Sequence, residues 1–339
     1  MVTQRTAIVL DRSANGRFLA GVVAGLAALG YAAWTLGGGR AGWLQTWMVI
    51  FSSLIISALP FVALGAVAAS LVAVFVPMSA IERIGRLPRA LQLPVAAVAG
   101  VGFPICECGS VPLARRLMLR GVPPGAAITF MLAAPVVNPV VMASTYVAYR
   151  GRGSTLTMVG GRVLLGALIA MAVGWVLGRK APEDLLRGTG GGTEHAHVDF
   201  ERPESRWGRF FGHVVGDFAF MAKYLIAGAV VAAIVQTFLP QRMVQGLATL
   251  PVIEIVAMMG LAAILSLCSE SDAFIAASFS QYGFGPSAQL AFLVFGPMVD
   301  MKLGAMYGGT FKPATVGALV ATAAVATLGI SLWLEVAIG

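Results

Sequence analysis

Two short stretches of this 339-residue chain bring together side chains that rarely meet in an apolar sequence. Cys106-Glu107-Cys108-Gly109-Ser110 sets a thiol on each side of a carboxylate, and Cys268-Ser269-Glu270-Ser271-Asp272 repeats the combination of thiol, carboxylate and hydroxyl. Thiols select soft, thiophilic species, while a carboxylate carries a proton or balances a cation. An ionisable side chain at membrane depth costs about 2.5 to 3.5 kcal/mol on insertion scales, so Glu107, Glu270 and Asp272 read as functional. For Cys106, Cys108 and Cys268 the competing reading is a small buried hydrophobe. Three cysteines make no disulfide framework.

The surrounding chain belongs in lipid. It is 58% hydrophobic and 11% charged, where soluble domains carry roughly 25% charge. A mean hydropathy of +0.86 excludes a disordered scaffold as firmly as the low charge excludes a soluble enzyme. The formal charge of +8 is spread over loops between apolar stretches, without the long basic run or aromatic-rich basic face that nucleic acid would need. That distribution follows the positive-inside rule of a multi-pass protein of the bacterial inner (plasma) membrane, with the N-terminus cytoplasmic and the lipid bilayer as its surroundings.

Span length, about 20 apolar residues, gives seven crossings at 18–36, 47–76 (interrupted by Pro60), 124–149, 157–177, 218–239, 286–307 and 316–334. The first, after Arg5, Arg12 and Arg17, is longer than a signal-peptide core and reads as an uncleaved helix. Stretches 93–119 and 250–279 are apolar at their flanks but broken in the middle, where the thiols and carboxylates sit. Arg83, Arg86 and Arg89 bound the first of these on one side, and Arg115, Arg116 and Arg120 bound it on the other. Both ends therefore lie on one basic face, as in a re-entrant hairpin. Irregular backbone at that depth is tolerated only beside protein or a wet cavity, so each tip is expected to line a cavity.

A gap-free internal match pairs 61–77 with 224–240, with identities that include Gly65/Gly228, Ala66/Ala229 and Pro77/Pro240. A second pairs 121–138 with 283–300, matching Pro124/Pro286, Phe130/Phe292, Pro135/Pro297 and Asn138/Asp300. Shared order and spacing indicate duplication. The expected organisation is an N-terminal helix (1–40), a first repeat (41–178), a cytoplasmic linker (179–209) and a second repeat (210–339). In the linker, His195 and His197 with Glu194 and Asp199 allow a metal, but a solvated loop fits better. Each half holds three crossings and one hairpin. An odd number of crossings inverts the second half, giving an all-α polytopic membrane protein of about seven transmembrane helices plus two re-entrant broken hairpins in an inverted repeat.

Pro104, Pro112, Pro135, Pro139 and Pro297 are expected to break helices and free backbone carbonyls. Asn138 and Asp300 would then either hydrogen-bond a substrate or coupling ion or cap the broken ends. Lys223, where the first half has Pro60, either neutralises a site carboxylate or snorkels to the interface. Lys302 follows Asp300 by two and is expected on a different helix face. Glu254 reads as interfacial or functional, and the fifteen methionines scatter as packing residues.

At 103–113 (FPICECGSVPL) and 132–140 (LAAPVVNPV) the chain resembles the ArsP-type predicted permease family, and the likeness covers nearly the whole chain. The resemblance implies an inner-membrane permease with internal duplication, some members of which expel trivalent organoarsenicals such as methylarsenite. Its motif residues here are Cys106, Glu107, Cys108, Gly109, Ser110, Pro135, Asn138 and Pro139. A monomethyl arsenical has two exchangeable positions, which suits a Cys-x-Cys pair.

The resulting expectation is a secondary efflux permease, proton-coupled, conferring arsenic resistance. Its substrate-binding set is Cys106, Glu107, Cys108, Gly109, Ser110, Asn138, Cys268, Ser269, Glu270, Ser271, Asp272 and Asp300, and Glu107, Glu270, Asp272 or Lys223 moves the proton. No catalytic residues, cofactor or resident metal are expected, and the sequence leaves homo-oligomerisation open. No nucleotide-binding P-loop occurs in the chain. The alternatives are a carrier of a divalent metal or sulfur-containing small molecule, a membrane thiol-redox protein using Cys106 and Cys108, and a structural subunit of a larger complex.

Overall fold

The structure, a computed structural model, describes residues 42–75, 87–102, 105–187, 206–238 and 251–338. The expected first crossing at 18–36, Pro104 and the linker histidines lie outside the described residues. With no water to take up backbone N–H and C=O groups, an apolar chain rich in Ala, Val and Leu closes its hydrogen bonds within helices. Among the described residues there is no strand, only an isolated antiparallel bridge between Leu186 and Phe311.

Among the described residues, twelve principal helices form two sets of six in the same order. The first set is α1 (Gly42–Phe75), α2 (Arg89–Ala99), α3 (Glu107–Leu119), α4 (Pro124–Val137), α5 (Pro139–Tyr149) and α6 (Thr155–Leu177). After a single turn at Pro182–Leu185 come α7 (Arg206–Phe238), α8 (Pro251–Leu265), α9 (Asp272–Phe279), α10 (Pro286–Phe295), α11 (Met301–Thr310) and α12 (Pro313–Ile338). Among the described residues, five segments are long and apolar enough to cross a bilayer: Gly42–Leu71, Pro124–Tyr149, Thr155–Leu177, Phe210–Thr237 and Pro313–Val336. Leu156, Val325 and Trp333 are exposed apolar side chains on α6 and α12, as suits a face turned to lipid.

Four expectations are corrected. Helix α1 runs unbroken through Pro60, and Pro112 and Pro135 lie inside α3 and α4, because neighbouring helices can re-satisfy the carbonyl a proline frees. The breaks fall beside the prolines instead, at Cys106 and at Asn138, with Pro139 opening α5 and Pro297 in the turn after α10. Stretch 286–307 is two short helices parted at 296–300, like its counterpart α4–α5. Helix α7 starts at Arg206, well before 218, since Trp207, Phe210 and Phe211 pack edge to face and Arg116 answers the charge of Asp217 at 2.6 Å.

Helix α6 serves as a ruler about 34 Å long at 1.5 Å per residue. Its Gly178 end touches Gly125 at the start of α4, its middle packs Gly166 on Val136, and Thr155 at its other end donates to the Tyr149 carbonyl at 2.6 Å. Leu93 lies beside Gly125 and Gly100 beside Ala134, so α2 descends alongside α4. Helix α3 returns to the α4 start through a turn at Gly121, whose φ of +91° suits glycine. The first hairpin therefore opens at the Gly178 end of α6.

The second opens at the Thr155 end. There the Tyr149 hydroxyl donates to Gln289 near the start of α10 (2.8 Å), and Arg152 donates to the Ala277 carbonyl and Ser280 at the end of α9. The turn into α10 is again a left-handed glycine, Gly283 at φ +87°. Helix α11 ends back at the Gly178 side, where Arg187 N–H donates to the Thr310 carbonyl (3.0 Å) and Lys312 N–H to the Leu185 carbonyl (2.9 Å).

Packing crosses between the two sets. Helix α1 lies on α7, α6 on α12, α3 on α11 and α9 on α5. With lipid outside, such contacts depend on small residues that let backbones approach. Gly174 and Gly178 of α6 form a Gly-x-x-x-Gly stripe against Gly125, and a Cβ added at Gly174 would stand 2.6 Å from the Gly125 carbonyl oxygen and closer to Thr129 Oγ1. Gly174→Leu is expected to wedge α4 from α6 and lower stability by about 1–3 kcal/mol or more. The midpoint of thermal unfolding in detergent measures it, and an unchanged midpoint would refute the close contact.

Candidate functional site

Both hairpin tips end in a carboxylate on the first turn of a helix. Cys106 takes an extended conformation as the N-cap of α3, and Glu107 follows at its first position. In the second hairpin the backbone leaves α8 through Ser266 at φ +47°, and Asp272 begins α9. The positive end of a helix dipole thus faces each carboxylate.

The tips touch. Ser269 of the second donates its hydroxyl to Glu107 Oε2 of the first at 2.6 Å. Glu107 Oε1 lies 3.7 Å from the Lys302 ammonium, which stands 3.7 Å from Asp300 Oδ2 as well. Asp272 is gripped by Arg162 of α6 through both carboxylate oxygens, at 2.9 and 2.7 Å, and the same guanidinium donates to Thr145 Oγ1 and the Ser269 carbonyl. Each tip carboxylate is therefore answered by a cation from the other half. Glu107, Arg162 and Lys302 are each 1% exposed, a depth at which a charge must be paired.

Cys106 and Cys108 are buried with their thiols facing each other, and Cys268 is half-buried within electrostatic range of Cys108, Glu107 and Lys302. Among the described residues, no three His, Cys, Asp or Glu side chains converge closely enough to hold a metal ion. Pro112, inside α3, has no N–H to donate to the Cys108 carbonyl. Ser110 donates to the Glu107 carbonyl at 2.9 Å. Gly109 faces Gly65 rather than the thiols: a Cβ there would lie 2.8 Å from the Gly65 Cα, so its role is to bring α1 against α3.

Asn138 and Asp300 cap α5 and α11, accepting from Val140 N–H (2.9 Å) and Leu303 N–H (2.7 Å). Glu270 is half-buried with Oε2 unpartnered, and the exposed Ser271 donates to the Cys268 carbonyl. Cys106 through Ser110 are buried where the first tip meets the second. Two cavities lie toward the ends. One of about 300 Å³ at the Gly178 end is lined by Gln92, Trp175, Arg179 and Lys180, and one of about 490 Å³ at the Thr155 end by Tyr149, Arg152, Ser280 and Gln289.

Lys223 is exposed, its ammonium 5.8 Å from the Tyr224 ring centre, and is not brought to the carboxylates. Lys302 occupies that place. Counting two residues along a helix put it on another face from Asp300, but Asp300 is the extended N-cap, where helical angles do not apply. Glu254 bonds the Gly285 N–H near the second hairpin's mouth. Arg162 went unnoticed in the sequence, although a lone arginine inside the apolar stretch 157–177 was the signal.

Residues 44–335 match the model of the ArsP_1 family, described as a predicted permease. The chain is 40% identical to the UPF0718 protein YcgR of Bacillus subtilis over 284 residues, covering 84% of this chain and 95% of that one. It is 34% identical over 267 residues to a Streptococcus mutans protein named as a proposed subunit of a two-component membrane permease complex, covering 78% and 87%. No solved structure matches.

Proposed function

The chain belongs to the ArsP_1 family of predicted permeases and is a multi-pass membrane protein, and from that premise we propose that it is a proton-coupled secondary exporter of a small thiophilic solute, a trivalent organoarsenical such as methylarsenite. One observation carries the reading. Two broken hairpins that open toward opposite ends of α6 meet through Ser269 and Glu107 beside three free thiols, two of them buried and Cys268 half-buried. An inverted repeat of this kind rocks about a central site, exposing it to one face at a time. In the bacterial inner membrane the Gly178 side, rich in Arg179, Lys180 and Arg187, would be cytoplasmic, and with it the N-terminus.

The chemistry balances. Two thiols displace the two hydroxyls of methylarsenite, forming two As–S bonds and releasing two waters, each thiol proton leaving with a hydroxyl. Cys106 and Cys108 take the arsenic and Cys268 guards the half-open side, while a buried carboxylate of the site exchanges the proton. A thiol-redox role would need a reductant and a second acceptor, and nothing in the arrangement favours it over the carrier.

The test is uptake of methylarsenite by everted vesicles. Cys106→Ser is expected to lower uptake by about tenfold or more, a loss of ~1.4 kcal/mol in binding, and methylarsenite is expected to shield Cys268 from alkylation in the wild type. Full uptake by the serine variant would refute the site.

A further inference from the structure

The two halves differ at one place where their architecture agrees. Asn138 and Asp300 occupy matching N-caps, and each meets its capping duty with a single oxygen, Oδ1. An amide suffices for that in the first half. The second half carries a carboxylate instead, and two residues on it carries Lys302 where the first half has Val140. Charge and countercharge are therefore present together in the second half and both absent from the first. The second oxygen, Asp300 Oδ2, accepts no hydrogen bond although the side chain is 1% exposed, and it points at the Lys302 ammonium 3.7 Å away. Lys302 stands equally far from Glu107, too far for a hydrogen bond to either. Gly228 lets α7 approach the Lys302 backbone, where a Cβ would come within 2.6 Å of its Cα.

Two carboxylates share one ammonium, so one negative charge is left over in a buried place. We propose that Asp300 carries the coupling proton and that Lys302 is the built-in cation that moves between Asp300 and Glu107 as the proton comes and goes. This deepens the exporter reading and rests on it. With Asp300 ionised, Lys302 is shared and the tips stay joined through Ser269. With Asp300 protonated, Lys302 turns wholly to Glu107, the carboxylate that Ser269 holds, and the contact between the tips loosens. The other charged or titratable groups facing the pair are Cys108 and Glu107 on α3, Cys106 before it, Cys268 and Glu270 on the second tip, and Tyr307 on α11, whose hydroxyl is committed to the Met298 carbonyl. Arg162 and Asp272 neutralise each other beyond Ser269, and Lys223 on α7 is exposed.

The test is methylarsenite uptake into proteoliposomes of the full chain with and without an imposed pH gradient. The wild type is expected to be stimulated about tenfold by the gradient, within the usual range of coupling between two sites. Asp300→Asn, whose cap Asn138 shows to be sound, is expected to lose the stimulation. Lys302→Met is expected to lose the stimulation as well, and Lys302→Arg to keep it, so the inference survives a folding failure of any one variant. Stimulation of Asp300→Asn and Lys302→Met equal to the wild type overturns the inference, as does stimulation of the wild type by a sodium gradient alone. No uptake by the wild type overturns the exporter reading itself.

Discussion

Arg162→Leu is expected to strip the folded protein from the membrane fraction. Its guanidinium is 1% exposed and makes four hydrogen bonds, two to Asp272 and one each to Thr145 and the Ser269 carbonyl. Removing one partner of a buried pair leaves the other charge uncompensated, at a cost of about 3–5 kcal/mol. Against a total stability of roughly 5–15 kcal/mol, that is a large share. Size-exclusion chromatography of a fluorescent fusion reads the effect. Pairing Arg162→Leu with Asp272→Asn removes the stranded charge and is expected to recover most of the monodisperse peak. A single variant as abundant and as thermally stable as the wild type would contradict the pairing.

The second large effect is functional. Glu107→Gln keeps an oxygen for the Ser269 hydroxyl but leaves Lys302 with Asp300 as its only anion, fixing the ammonium on one side. Expression is expected to stay near wild type while methylarsenite export per folded molecule falls by about a hundredfold, or ~2.7 kcal/mol at 1.4 per factor of ten. Loss of folded protein in proportion to lost export would point to a structural role for Glu107 instead.

Much of this layout was legible in the chain. Composition and span length gave an all-helical membrane protein, and interrupted apolar stretches located the short helices with their polar tips. The Gly121/Gly283 and Asn138/Asp300 matches marked turns and caps that recur in the structure. Ion pairing was not legible, because Lys302 and Arg162 meet their partners across helices far apart in sequence, and one-dimensional spacing carries no such distance. Proline misled in the same way: Pro60, Pro112 and Pro135 look like breaks, yet whether a freed carbonyl ends a helix depends on which neighbour can reach it. Gly109 was assigned to the substrate from its place in the motif, while its contact with Gly65 depends on a helix more than forty residues upstream.

The exchange of cations between the halves also bears on biogenesis. Translation inserts α1 to α6 before their partners exist, so Glu107 and Arg162 enter lipid while Lys302 and Asp272 are still on the ribosome. Until the C-terminal portion arrives, the nascent protein holds two orphan charges, the sort of defect that insertases shelter and membrane proteases recognise. A gene cut in the 188–205 segment should yield fragments that are degraded singly and rescued when synthesised together.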